Sequence, residues 1–284
     1  MTGPAAAPVT GSYPPAHHVL RDLHLESQSG PGLTATGRMP IPPQLVGPNG
    51  FVHPGALATL VDAVGGGLGA VAAQPDWIAT ADLTLHLVPA RDVAAVTARG
   101  RVIRKGRTTI VMEVAVAGTD GPELGVATMT FAILPRRDGN PVIDATGFDA
   151  EATPRTTMAL PTSGFTQPLE DSTGLSVVDG PEGKVLLPLT DYVRNSLGAL
   201  QGGMVALTAI AAAERAMSAA AGRRLEVVDL QITYLALVKV GPAATTTTVL
   251  EVGDDRATAE VVVTDAGAGD RVTTRILARG AAVA

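Results

Sequence analysis

Polar and apolar residues alternate along Thr80-Ala81-Asp82-Leu83-Thr84-Leu85-His86-Leu87 and again along Val227-Val228-Asp229-Leu230-Gln231-Ile232-Thr233-Tyr234. That period of two is the mark of a half-buried strand. Each stretch follows a long apolar, Ala-rich run of strong helix propensity. The first run opens His53-Pro54-Gly55-Ala56-Leu57 and the second Gln201-Gly202-Gly203-Met204-Val205. Each is preceded three residues upstream by a glycine, Gly50 or Gly198. The strands lie 147 residues apart, counted from Asp82 to Asp229, and the helix starts 148 apart, from His53 to Gln201. Two landmarks at nearly one offset indicate an internal duplication.

Further β-rich runs complete each half. They are Val96 to Ile103, Thr109 to Val116 and Gly125 to Leu134 in the first, and Thr245 to Val252, Arg256 to Val263 and Arg271 to Ala278 in the second. Each half therefore reads as a strand, one long helix and about four strands. A single helix with an antiparallel sheet is buried best when the sheet wraps it. The expected class is α+β, with two tandem units of a central helix in an antiparallel wrap. The polar, Pro-containing stretch Arg136 to Ser172 connects them. The units are placed at residues 1–140, with 1–15 a flexible tail, and at 173–284, joined by a linker at 141–172. The triplet Gly65-Gly66-Gly67 costs roughly 1 kcal/mol per glycine in helix propensity, so it implies either close packing or a helix end.

Composition narrows the function. The 284 residues carry 21 Lys and Arg against 27 Asp and Glu, a formal charge of −6 without long basic runs, which argues against a nucleic-acid partner. Cysteine is absent, which removes disulfide scaffolds, thiolate zinc sites and cysteine nucleophiles. Met1 to Pro15 has no basic region followed by an apolar one, so a cytoplasmic location is expected. Gly55 to Ala73 nearly reaches the ~20 residues of a membrane span, but Asp62 in its middle and the adjacent glycines suit a buried core helix better, so no membrane partner is expected. The five histidines, His17, His18, His24, His53 and His86, lack zinc-site spacing, and no metal is expected. Neither a Gly-x-Ser-x-Gly elbow, a Walker loop nor a dinucleotide motif occurs.

The helix starts carry the chemistry. Asn195, Gly198, Gln201, Gly202 and Gly203 in the second half, and His53, Gly55 and Asp62 in the first, resemble the hotdog-fold thioesterases. The likeness is to the phenylacetate-degradation-type (PaaI-like) acyl-CoA thioesterases. Their pattern is Asn, two residues, Gly, two residues, His-Gly-Gly, and an acidic residue nine positions after the His; here Gln201 stands in place of that His, while Asp62 lies nine after His53. The resemblance implies two tandem hotdog domains, acyl-CoA as substrate, and no cofactor beyond the coenzyme A of the substrate itself. It also implies sites built across a dimer interface.

Geometry demands the same division. Thioester hydrolysis needs a base or nucleophile near the acyl carbon and donors where the oxyanion forms. A helix N-terminus supplies unpaired amides and a favourable dipole. Asp62 lies roughly 12 Å along its own helix, too far to meet a carbonyl held at that helix's start. It must therefore work with the start of the other helix. In that composite site Asp62 is the base, or a nucleophile through an anhydride. The resemblance implies that Gly202, with Gly203 beside it, is the oxyanion donor and that Asn195 and Thr80 place the water. Asn195 has a loop-structuring alternative, and Thr80 is also an ordinary strand residue.

The reciprocal site has lost its parts. Ile210 occupies the plus-nine position, Pro54 has no amide hydrogen, Gly47 stands where Asn195 would, with Asn49 two residues away, and Val227 replaces Thr80. One live and one degenerate site is the simplest reading, with His53 structural or vestigial. Glu214, one turn after Ile210, is either solvated beside Arg215 or a displaced carboxylate. Substrate-binding candidates are Gln201 and the basic turn Arg104, Lys105 and Arg107, which with Arg101 flanks Gly106; a solvated hairpin is the alternative for the turn. The fused pair is expected to form a homodimer of double hotdogs. A catalytically inactive acyl-CoA-binding or scaffolding protein would share this fold. A hydratase would need an Asp and His segment that the chain does not contain. The 3% aromatic content hints at an aliphatic-lined acyl pocket.

Overall fold

The structure is a computed structural model in which residues 13–119, 121, 123–137 and 155–283 are described. Its first half runs α1 (Val19–Asp22), β1 (Glu26–Gly30), β2 (Thr34–Pro40), α2 (Pro54–Ala73), β3 (Trp77–Leu87), β4 (Ala95–Lys105), β5 (Thr109–Gly118) and β6 (Glu123–Leu134). Then come β7 (Thr156–Thr157) and α3 (Leu169–Thr173). The second half repeats the plan with β8 (Ser176–Asp179), β9 (Lys184–Leu187), α4 (Gly202–Ala221), β10 (Glu226–Tyr234), β11 (Ala243–Val252), β12 (Arg256–Asp265) and β13 (Arg271–Ala281). Both halves are hotdogs: a long central helix in an antiparallel wrap.

The two wraps form one continuous sheet of 13 strands in the order β7-β1-β2-β4-β5-β6-β3-β10-β13-β12-β11-β9-β8. Setting β7 aside, the order is a mirror of itself about the β3–β10 seam. The seam register pairs Thr84 with Gln231, and the pairs on either side exchange under the duplication. On one side the Thr233 hydroxyl bonds to Asp82 Oδ1 at 3.0 Å; on the other, His86 Nδ1 meets Asp229 Oδ1 at 2.6 Å. Each seam strand carries a bulge at the corresponding place, between Thr80 and Asp82 in β3 and between Val227 and Asp229 in β10.

Alternation aims one face of each strand at its helix. Leu83, Leu85, Ile110, Met112, Met129 and Phe131 close over Leu60 and Leu68 of α2, all with at most 1% of their surface exposed. Gly37 lets β2 approach α2 closely, since a Cβ there would stand 2.3 Å from a methyl of Val64. The helix passes through Gly65-Gly66-Gly67 without ending. A Cβ at Gly65 would lie 2.3 Å from the Met129 sulfur, so packing explains that glycine, whereas Gly66 and Gly67 face open space and nothing in the structure explains them. By length and composition both α2 and α4 could cross a membrane; here both are buried core helices.

Two expectations need correction. The linker placed at 141–172 is in part outside the described residues, but from 155 onward it is structured. Thr156–Thr157 pairs with β1, and Leu169–Thr173 is the helix α3. The flexible tail placed at 1–15 includes Tyr13, Pro14 and Pro15, which are packed: the Arg21 guanidinium holds the carbonyls of both prolines, that of Pro15 at 2.6 Å. Both corrections have one cause, in that polar and Pro-rich sequence marks irregular backbone but says nothing about tertiary partners.

Candidate active site

The two central helices pack antiparallel with small residues at their crossing. A Cβ on Gly203 would lie 2.6 Å from the Thr59 Cα, and one on Gly55 would lie 2.4 Å from a Leu207 methyl. This approach carries the middle of α2 to the start of α4. Asp62, 8% exposed, lies against Gly202, where a Cβ would be only 2.5 Å from Asp62 Oδ1. Burial pushes the Asp62 carboxyl up to about 6, and a hydrogen bond donated by the Gly203 amide works against that rise. The composite pairing expected from helix length is therefore present, with the amide roles divided. Gly203 donates to the carboxylate. Met204 and Val205 donate to the Gln201 carbonyl at 3.0 Å each. The Gly202 amide has no acceptor among the described residues, so it is the donor left for a ligand.

The other site residues separate into those brought here and those left apart. Gln201 caps α4 without a side-chain cap bond; it is 5% exposed and its Oε1 is buried with no partner among the described residues. Asn195 sits in the loop just before α4, but its Oδ1 accepts the Leu197 amide at 2.9 Å and the Ala199 amide at 3.0 Å, which is the loop-structuring role. Thr80 lies at the β3 bulge, half-buried. Arg104, Lys105 and Arg107 stand exposed at the β4–β5 turn, and no hydrogen bond or ion pair joins them to Asp62 or the α4 start. Arg101 is committed to Glu113 at 2.7 Å.

Sequence reading missed two tyrosines. The Tyr234 hydroxyl, on β10, donates to the Gly202 carbonyl at 3.2 Å. Tyr13 packs on the core from the N-terminal segment, its hydroxyl bonded to the Arg194 carbonyl at 3.3 Å. Burial, with the nearby Asp62 charge, raises both phenols above the ordinary tyrosine value, so both stay protonated donors. A usable signal existed in the count. The chain has only three tyrosines, and the third, Tyr192, bonds to Asp22 in the same segment.

At the reciprocal position lies a cavity of about 640 Å³, lined by His53, Pro54, Glu170, Glu214, Arg215 and Glu226 among others. The start of α2 offers it no free amide at the positions that correspond to Gly202 and Gly203. Pro54 has no amide hydrogen, and the Gly55 amide is spent on His53 Nδ1 at 3.0 Å. His53 thus keeps its proton on Nε2, 3.6 Å from Glu170 Oε1. Burial disfavours the Glu170 charge, but His53 and Arg215, the latter at 2.5 Å, hold it down to about 2. Glu214 is pushed well above its ordinary value, first by burial and then by the Glu226 charge; it accepts the Val227 amide at 2.9 Å, its one hydrogen bond among the described residues.

The raised carboxyls of Asp62 and Glu214 have a consequence for stability. Each binds its proton more tightly when folded, so its stabilising contribution is complete below its unfolded value and lost as pH rises through the folded one. For Asp62 that window runs from 3.8 to about 6, and for Glu214 it begins at 4.5. The melting temperature is expected to be higher at pH 5 than at pH 8. Glu214→Gln should raise the pH 8 value and shrink the difference, as thermal scans at the two pH values would show. An unchanged difference would mean that Glu214 ionises freely.

Residues 49–124 match the family described as the Thioesterase superfamily. No curated protein matches the chain in sequence. Among solved structures, a tesB protein from Mycobacterium avium subs paratuberculosis superposes with a TM-score of 0.63 at 12% identity, covering 93% of this chain and 97% of that one. An acyl-ACP thioesterase from Bacteroides thetaiotaomicron superposes with a TM-score of 0.57 at 14% identity, covering 87% and 98%. Residues 49–124 are thus similar to the thioesterase superfamily, and the whole chain shares its fold with these solved structures.

Proposed function

We propose that the chain is an acyl-CoA thioesterase of the PaaI-like kind, with one working site shared between its tandem hotdogs. The observation that carries this reading is the Asp62 carboxyl set against the start of α4, beside the uncommitted amide of Gly202. The thioester oxygen accepts the Gly202 N–H, reinforced by the positive end of the helix. Asp62 takes a proton from water as that water attacks the acyl carbon. The tetrahedral intermediate collapses, the C–S bond breaks, and the departing coenzyme A thiolate takes the proton from Asp62. Free acid and coenzyme A leave, and the carboxylate is restored. Gln201, with its unpartnered buried Oε1, contacts the bound thioester, and Thr80 with the Asn195 side chain borders the water. Arg104, Lys105 and Arg107 supply charge for the coenzyme phosphates from the exposed turn.

This mechanism needs Asp62 ionised. With its carboxyl raised to about 6, kcat/KM is expected to fall with decreasing pH below that value, tenfold per unit once well below it. The test of function is thiol release from short, medium, long and aromatic acyl-CoAs, read with a thiol dye that a cysteine-free chain does not itself consume. Glu214→Gln is expected to leave that activity unchanged, because Glu214 lines the reciprocal cavity and not the Asp62 site.

The cavity at the reciprocal position favours a second reading, an acyl-CoA-binding or scaffolding protein without turnover. Binding of acyl-CoA with no thiol release across the panel would select it. The thioesterase reading also places the protein in the cytoplasm as a homodimer of double hotdogs, paired through the sheet edges at β7 and β8. It includes no metal, nucleic-acid or membrane partner. Light scattering across a dilution series checks the dimer.

A further inference from the structure

Tyr234 and Asp62 meet on opposite sides of the same peptide. The Tyr234 hydroxyl donates to the Gly202 carbonyl at 3.2 Å. That carbonyl and the Gly203 amide belong to one planar unit, with the C=O and the N–H directed to opposite sides. The Gly203 N–H donates to Asp62, and a Cβ on Gly202 would stand 2.5 Å and 3.2 Å from the two Asp62 oxygens. One rigid plane therefore joins the phenol to the carboxylate. The plane needs a hold from outside the helix. Gln201 gives α4 no side-chain cap bond, the first amides of a helix have no partner within it, and two successive glycines leave the backbone its widest freedom. Met204 and Val205 donate to the Gln201 carbonyl, which fastens the next turn but not this peptide.

The duplication supplies a control. The offset of 147 between the seam strands sets Leu87 at the place of Tyr234, and the offset of 148 between the helix starts sets Pro54 at the place of Gly202. Leu87 and Pro54 line one small cleft, so the two positions meet in the first half as they do in the second. There the phenol, the amide and the opposing carboxylate are lost together. Leu87 has no hydroxyl, Pro54 has no amide hydrogen, and Ile210 stands at the plus-nine position. The phenol is present where the other parts of a working site are present.

We propose that Tyr234 is a positioning residue for the Asp62 site, holding the Gly202–Gly203 peptide so that its N–H stays on the carboxylate and Gly202 keeps its place beside it. The proposal rests on the reading of Asp62 as the base. Tyr234 acts through the peptide and not on the substrate, because its hydroxyl is spent on the Gly202 carbonyl. Besides fixing the plane, that donation polarises the peptide and strengthens its N–H as a donor, by roughly 10–30% per bond. Burial pushes the Asp62 carboxyl up and the Gly203 bond works against it, so a weaker Gly203 bond lets the carboxyl rise further. No charged side chain among the described residues enters that balance. The Tyr234 and Tyr13 phenols feel the Asp62 charge in return, and both stay protonated.

The experiment titrates Asp62 directly by its carboxyl ¹³C shift, assigned as the signal missing from Asp62→Asn, and in parallel records kcat and KM against pH. Tyr234→Phe removes the hydroxyl and keeps the ring. The titration and the acid limb of kcat/KM should both move up by about 0.2–0.6 unit, the share of a charged hydrogen bond that peptide polarisation carries. At pH 5 that shift alone lowers kcat/KM roughly two- to fourfold. On the high-pH plateau kcat should fall roughly two- to tenfold, the worth of one net hydrogen bond, with KM little changed. The direction separates positioning from mere support, since a loosened site admits water and moves the titration down, towards the ordinary carboxylate range. Tyr234→Leu, which carries the first half's residue into the second, should give the same upward shift and serves if Tyr234→Phe does not fold. An unmoved or lowered titration in a folded Phe or Leu variant overturns the proposal, even if kcat drops. Full activity in Asp62→Asn would instead sink the reading of the base, whatever Tyr234 does to the titration.

Discussion

Asp62→Asn is expected to lower kcat for thioester hydrolysis by a hundredfold or more, with folding preserved. Removing a general base costs typically 10²–10⁴-fold. The substitution is nearly isosteric and suits the site, because a neutral amide at a position 8% exposed avoids the desolvation that raises the carboxyl to about 6. The variant should therefore melt at least as high as the parent at pH 8 while losing turnover. Steady-state thiol release and a thermal scan on the same preparations check both halves. A variant that keeps its rate would move the base elsewhere; one that loses both rate and fold would show that the Gly203 hydrogen bond to the carboxylate matters more than burial.

The second large effect is expected at Gly202. A Cβ there would lie 2.5 Å from Asp62 Oδ1, closer than real Cβ contacts come, and 3.0 Å from its Cγ. The obstructed group is the end of a side chain, so Gly202→Ala should displace the carboxyl and leave the helices in place. A misplacement of roughly 1 Å in a reacting group can cost about 10²-fold, and that loss in kcat is expected with little change in melting temperature. Gly203→Ala should behave in the opposite way. Its Cβ would meet the Thr59 backbone at 2.6 Å, which only a shift of one helix against the other relieves. Overpacking of that kind costs typically about 1–3 kcal/mol, so a lowered melting temperature is its main signature. Comparing the two neighbouring substitutions in rate and in stability separates the site from the helix crossing. Equal effects in both assays would mean that no such division exists.

Much of this was visible in the order of residues. The duplication, the two central helices and the seam strands follow from apolar periodicity and one repeated offset, because local patterning decides element type and the wrap is the way such elements bury one another. The composite pairing of Asp62 with the far helix followed from the rise per residue alone. Other parts were not visible. Asn195 was open between two roles, and only its donors, the Leu197 and Ala199 amides, show how its oxygen is used. The structured stretch after residue 155 and the packing of Tyr13 depend on partners more than a hundred residues away, Glu26 to Thr157 and Tyr13 to Arg194.

What the sequence by itself determined is therefore the repeat, the two helix starts and the loss of donors at one of them. Pro54 lacks an amide hydrogen wherever it is placed. Which amide remains free, how dry the Asp62 carboxyl becomes, and that Tyr234 meets the start of α4 were decided only by the tertiary structure. Solvent exposure and hydrogen-bond partners are properties of neighbours in space, and the N-terminal segment meets the second half's α4 loop only after the chain has folded back on itself.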